Sequence, residues 1–191
     1  VQTCALPISS ILEIVNNPIM STERMNTDLG EIHLWGKLWR VTFNALKSIS
    51  LLFSCKRKKR DHPTLYLGDT PIPEAHQHTH LGITLSSNLS WHAHITRIIS
   101  KCNQRLGLLR RLKYKLSRKT LVKLYTTMVR PILEYGSVLF ANCTTGLSSS
   151  IETVQYEAAR ICTGALRHTP AIFSLVSLVG KLCLIAANIK N

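Results

Sequence analysis

The chain has 191 residues and an ordinary apolar share of 45%, enough to bury a real core in one generous domain or two small ones. Its formal net charge of +14 is unevenly placed: residues 1–90 carry nine basic and seven acidic side chains, residues 91–191 fifteen and three. That field points to a polyanionic partner, because clustered Lys and Arg gain by displacing counterions from phosphates. A membrane surface is the weaker alternative.

The opening VQTCALPIS fits no element and resembles the conceptual translation of a library adapter, so residues 1–9 are set aside as a non-native leader. A first helix is expected from Ser21 as N-cap, with Glu23 in its first turn. Met25, Leu29, Ile32, Trp35 and Trp39 recur on the face that would pack on a sheet. Val41 and Phe43 alternate with polar residues and SISLLFS is β-prone, which predicts strand, turn at Asn44–Lys47, strand. KRKKR (56–60) reads as a loop, LYLGDTPIP (65–73) as a short strand and HTHLGITLS (78–86) as another.

From Ser90 the period becomes helical. Ile95, Ile98, Ile99, Cys102, Leu106 and Leu109 make an apolar stripe, and Ser90 is the expected N-cap. Arg97, Lys101 and Arg105 form a second stripe at i, i+4 and i+8 on another face. The stretch 105–130 holds nine Lys or Arg and no acid. Leu116–Ser117 is the expected turn, with Ser117 capping a helix through Leu121, Leu124, Tyr125 and Met128 that Pro131 should kink. A third helix, capped by Ser148 to Ser150, would bury Ile151, Val154, Ala158, Ile161 and Cys162. The fold class is α+β: short antiparallel strands, then a mostly helical bundle.

The six cysteines are scattered without a C-x-x-C pair, which reads as reduced thiols of an intracellular protein, nuclear or cytoplasmic. The apolar stretch 171–189 raises a membrane span, but Lys181 stands at its centre, where a charge is costly. His76, His78 and His80 alternate, so a strand would put all three on one face, with His92 or His94 as a further zinc ligand. No cysteine pair or carboxylate lies nearby in sequence to orient them. No two acids are adjacent, and no phosphate-binding glycine loop or nucleophile elbow occurs, so no metal site and no catalytic centre can be named from the residues.

Four consecutive segments carry a family resemblance: WGKLWRVTFNALKSISLLFS, HTHLGITLSSNLSWHAHI, LGLLRRLKYKLSRKTLVKLYTTMVRPILEYGSVLF and IETVQYEAARICTGA. In this order they resemble the distal part of the reverse transcriptase of non-LTR, jockey-type retrotransposons, over roughly 150 residues from near Ile11. The resemblance implies a late palm-like α+β segment over 10–89, a basic thumb-like helical segment over 90–170, and a tail over 171–191 that diverges as a frameshift would. It aligns Lys47 with the lysine of the fourth polymerase motif, which assists nucleotide positioning or protonates the leaving pyrophosphate. It aligns Leu81 and Gly82 with the primer-grip hairpin, where glycine lets the backbone approach the primer closely. Arg97, Lys101, Arg105, Arg110, Arg111, Lys113, Lys115, Arg118, Lys119 and Lys123 then become contacts to the backbone of an RNA–DNA hybrid or other nucleic acid, positioning it without reading its sequence.

The family's paired aspartates would lie just upstream of the first helix, where this chain has ISSILEIVNN. The expectation is therefore a fragment of an RNA-directed DNA polymerase, inactive alone, that works with an upstream palm and fingers. Mg2+ is expected for the full-length family and no cofactor for this chain. The rival reading is a non-catalytic basic nucleic-acid-binding module, a decayed or domesticated copy.

Overall fold

A computed structural model of the chain describes residues 10–55 and 62–165. The expected leader, the KRKKR loop and the apolar tail with Lys181 lie outside the described residues. The fold is α+β, and it divides into two compact units. One holds the described residues up to His78 together with Ser87–Leu89, and the other holds Thr79–Ser86 and the described residues from Ser90 onward.

In the first unit, α1 runs over Pro18–Trp39, three residues earlier than the sequence signal at Ser21. Asn17 is the N-cap, its side chain accepting from the Ile19 amide, and Pro18 supplies the fixed φ that suits a first helical position. Ser21 is instead buried inside the first turns. Residues 66–71 form a tight hairpin rather than one strand: β1 (Tyr66–Leu67) pairs antiparallel with β2 (Thr70–Pro71) around Gly68. A small core joins Leu29 of α1 to Leu65, Leu67 and Ile72, with Met25 and Phe43 against it, so the helix face does pack on strands. Trp35 and Trp39 point outward, correcting their assignment to that face.

The strand–turn–strand expected over residues 41–54 is replaced by a 3-10 turn, Ala45–Lys47, capped by Asn44, followed by extended chain. That chain bonds at alternate positions: Ser50 exchanges bonds with Pro73 and Ala75, and the Ser54 amide donates to Ser87. β-Propensity expresses itself as a strand only where a ladder partner runs alongside, and here a single bridge forms.

β3 (Gln77–His80) and β4 (Ile83–Ser86) make a second hairpin, where the sequence suggested one strand; its tip, Thr79–Ser86, belongs to the second unit. The rest of that unit is helical: α2 (His92–Leu112), α3 (Arg118–Met128), α4 (Arg130–Glu134), a 3-10 turn at Ser137–Phe140, and α5 (Thr145–Thr163). Ser117 is the N-cap of α3 and accepts from the Thr120 amide, whereas the N-cap of α2 is Trp91, one residue after the expected Ser90, whose hydroxyl accepts from the His92 amide. Pro131 breaks the helix outright: α3 ends at Met128 and Pro131 stands in the first turn of α4, since its ring cannot continue an interior turn. α5 begins at Thr145, so Ser148 to Ser150 sit inside it and Ser150 bonds back to Gly146.

The apolar stripe of α2 is the core of this unit. Ile95, Cys102 and Leu106 are fully buried against Leu121, Tyr125, Val129 and the α5 residues Val154, Ala158 and Ile161. Each large side chain so buried stabilises the fold by about 1.5–3 kcal/mol. Among the described residues no helix is long and apolar enough to cross a membrane.

Candidate nucleic-acid interface

Because the inward face of α2 is committed to this core, its cations are pushed outward. Arg97, Lys101 and Arg105 are exposed, one helical turn apart, so successive charges advance by about 6 Å along the axis. Arg111, Lys115, Arg118, Lys119 and Lys123 are also exposed, and Lys113 is half-buried with its ammonium 5.1 Å from the centre of the Tyr114 ring. Arg118 and Lys119 open α3, whose first turn holds no acid. Cations at the positive end of a helix dipole oppose it by about 0.3–1 kcal/mol each, a cost that a bound anion relieves.

Arg110 departs from the set. Its Nε and Nη2 donate to Glu157 Oε1 at 3.2 and 2.8 Å, while Oε2 of the same carboxylate accepts from Arg160 at 2.7 Å. The pair is partly exposed and contributes at most about 1 kcal/mol, but it turns Arg110 toward α5. Glu134 likewise engages Arg130.

The hairpin tip is the second component. Leu81 (φ 47°) and Gly82 (φ 81°) are both left-handed, the conformation required at both centres of a two-residue turn that matches strand twist. Side chains of α2 hold β4 beneath it. The Thr84 amide donates to His94 Nδ1 at 3.2 Å. Arg97 Nη1 donates to Thr79 Oγ1 at 2.9 Å and to Thr84 Oγ1 at 3.2 Å. Arg97 thus belongs both to the basic stripe and to the support of the turn, joining two groups of residues that the sequence presented separately.

His94 was a candidate metal ligand in the sequence; in the structure it is a buried structural residue. Its ring meets Phe140 edge-on at 5.4 Å and Trp91 at 6.0 Å. Accepting at Nδ1 assigns the proton to Nε2, which is buried without a partner. Burial pushes the His94 pKa below its ordinary value, and the nearby Arg97 and Lys101 charges push the same way. The signal for this role lay in the sequence, for His94 immediately precedes Ile95 and stands four residues before Ile98 on the apolar side of the helix. Tyr135 and Gly136, which also touch the tip, carried no such local signal. His78 and His80 are in β3 and His76 precedes it. Among the described residues no three His, Cys, Asp or Glu side chains gather as a metal site requires.

Lys47 lies in the first unit, exposed, as the last residue of the 3-10 turn, where its amide donates to Asn44 Oδ1 at 3.3 Å. Among the described residues of its unit no carboxylate forms an ion pair with the ammonium. Cys102 and Cys162 are buried and their thiols are pushed up to about 11 by desolvation, so neither is ionised as a nucleophile near neutral pH.

The chain is similar to RNA-directed DNA polymerases of fruit-fly mobile elements. A probable RNA-directed DNA polymerase from transposon X-element of Drosophila melanogaster is 27% identical over 135 residues, 68% of this chain and 14% of the relative. The RNA-directed DNA polymerase from mobile element jockey of Drosophila funebris is 25% identical over 154 residues, 77% of this chain and 16% of the relative. A probable RNA-directed DNA polymerase from transposon BS of Drosophila melanogaster is 27% identical over 135 residues, 68% and 15% of the two chains. The similarity thus spans about one seventh of the length of these relatives. No family model and no solved structure matches.

Proposed function

Given this similarity to mobile-element reverse transcriptases, we propose that the chain is the template–primer-gripping part of such a polymerase. The outward cations of α2 and α3 lie along the backbone of an RNA–DNA hybrid, and the Leu81–Gly82 turn approaches the primer. The single observation that carries the reading is Arg97, which stands in the basic stripe and also bonds the hairpin bearing the turn. In this role residues 10–89 serve as palm-like and 90–170 as thumb-like segments, and the protein works inside the cell.

The chemistry of the grip is electrostatic and geometric. Lys101, Arg105 and their neighbours neutralise phosphates and release counterions, which supports any sequence equally. Gly82 supplies the left-handed φ that closes the turn and presents its backbone at the tip. Mg2+ belongs to the proposed activity of the complete polymerase. Among the described residues no three His, Cys, Asp or Glu side chains gather, and the grip proposed here uses none.

Fluorescence anisotropy with two RNA–DNA hybrids of unrelated sequence tests this. Both should bind, within about twofold of each other, at a micromolar or weaker Kd that rises steeply with salt. Absence of binding at 50 mM salt, or binding to only one of the two, refutes the grip. Replacing the matching stretch of the jockey polymerase with residues 11–165 then separates a polymerase segment from a free-standing basic module. Retained primer extension supports the former; its loss, with hybrid binding intact, supports the latter.

A further inference from the structure

Leu81 is an outlier that demands a cause. A residue with a Cβ is disfavoured at φ 47°, and the first place of such a turn is ordinarily Asn, Asp or Gly, whose conformational freedom or local hydrogen bonding accommodates it. Leu81 has no polar side chain, and at 59% exposure its side chain is not pinned by burial either. What holds it is its carbonyl, which accepts from the Tyr135 hydroxyl at 2.5 Å across 54 residues of sequence.

The same segment meets the next two residues of the hairpin. A Cβ at Gly82 would stand 3.3 Å from the Tyr135 ring, closer than an ordinary contact, and the φ of 81° itself favours glycine there. A Cβ at Gly136 (φ 68°) would stand 2.6 Å from Ile83 Cδ1, so the chain after α4 packs closely on β4 at a position whose backbone favours glycine. Backbone strain kept at an exposed tip by a specific long-range contact points to a tip whose shape matters.

We propose that Tyr135 is the positioning residue of the hairpin tip. Its hydroxyl locks Leu81 in the left-handed turn and so holds the Gly82 backbone where the primer end is received. The primer-facing half of this statement rests on the gripping function proposed above; the lock itself does not.

The test uses the full chain and two variants. Tyr135→Phe keeps the ring and removes only the hydroxyl, and Leu81→Asn added to it supplies a residue at ease with positive φ. Without nucleic acid, hydrogen exchange over residues 79–86 should accelerate about threefold to tenfold in Tyr135→Phe, the range expected for one lost hydrogen bond, and should return to the wild-type rate in the double variant. With a hybrid whose primer ends in a photoreactive thionucleotide, crosslinking to residues 79–86 should fall in Tyr135→Phe and recover in the double variant. The salt slope of binding should stay unchanged, because no cation is lost. Unaltered exchange in Tyr135→Phe, or no recovery on adding Leu81→Asn, overturns the lock. Unaltered crosslinking despite faster exchange overturns its role toward the primer. Wild-type protein that binds no hybrid overturns the grip itself, while the exchange result still decides the lock.

Discussion

Two variants of α2 separate the cations that face solvent from the one that faces α5. Lys101 and Arg105 are exposed and stand one turn apart with no ion pair described, whereas Arg110 spends its guanidinium on Glu157 at 2.8 Å. Each phosphate contact contributes roughly 0.7–0.9 to the slope of log affinity against log salt. Replacing Lys101 and Arg105 by Ala should therefore flatten the slope by about 1.4–1.8. Across a fourfold rise from 50 to 200 mM salt, the double variant should lose about 7- to 12-fold less affinity than wild type loses. Arg110→Ala should leave the slope close to that of wild type, since its charge is already engaged. Anisotropy titrations at four or five salt concentrations measure both. Equal flattening by the two variants, or none by Lys101→Ala/Arg105→Ala, would show that the outward face of α2 is not the contact surface.

Other perturbations probe the scaffold of the same unit. Gly136→Ala combines a left-handed φ of 68° with a 2.6 Å clash on Ile83 and should destabilise the protein by about 1–3 kcal/mol, read as a lower midpoint in urea unfolding. His94 has a folded pKa below its unfolded value, so at pH values between the two the unfolded chain binds a proton that the folded one refuses. The stability it contributes is therefore full above about pH 6.5 and is lost as pH falls from there through the folded pKa; His94→Gln should abolish that part of the pH dependence, and an unchanged profile would remove His94 as its source. With their thiols pushed up to about 11, Cys102 and Cys162 should stay unmodified by iodoacetamide at pH 8 in the folded protein, while exposed Cys55 is alkylated, as peptide mass mapping would read. Rapid labelling of Cys102 in native conditions would contradict the packing of α2.

What the sequence determined by itself is the part written in short-range periodicity. The α2 stripe from Ile95 to Leu109, the buried face of α5, the capping role of Ser117 and the outward basic stripe all follow from a 3.6-residue repeat and one-turn spacings. Such signals need no knowledge of distant residues. The α+β class and the likeness to mobile-element reverse transcriptases were legible in the same local words. Tertiary structure alone decided the rest. Whether residues 48–54 became a strand depended on a ladder partner, and the true start of α1 on the competition between Asn17–Pro18 and Ser21. Four hydrogen bonds then decided which functional candidates stand together: Glu157 to Arg110, Arg97 to Thr79 and to Thr84, and Tyr135 to Leu81. Each of these partners lies 13 to 54 residues away in sequence, beyond the reach of any helical or strand repeat. Only folding brings such partners within hydrogen-bond distance.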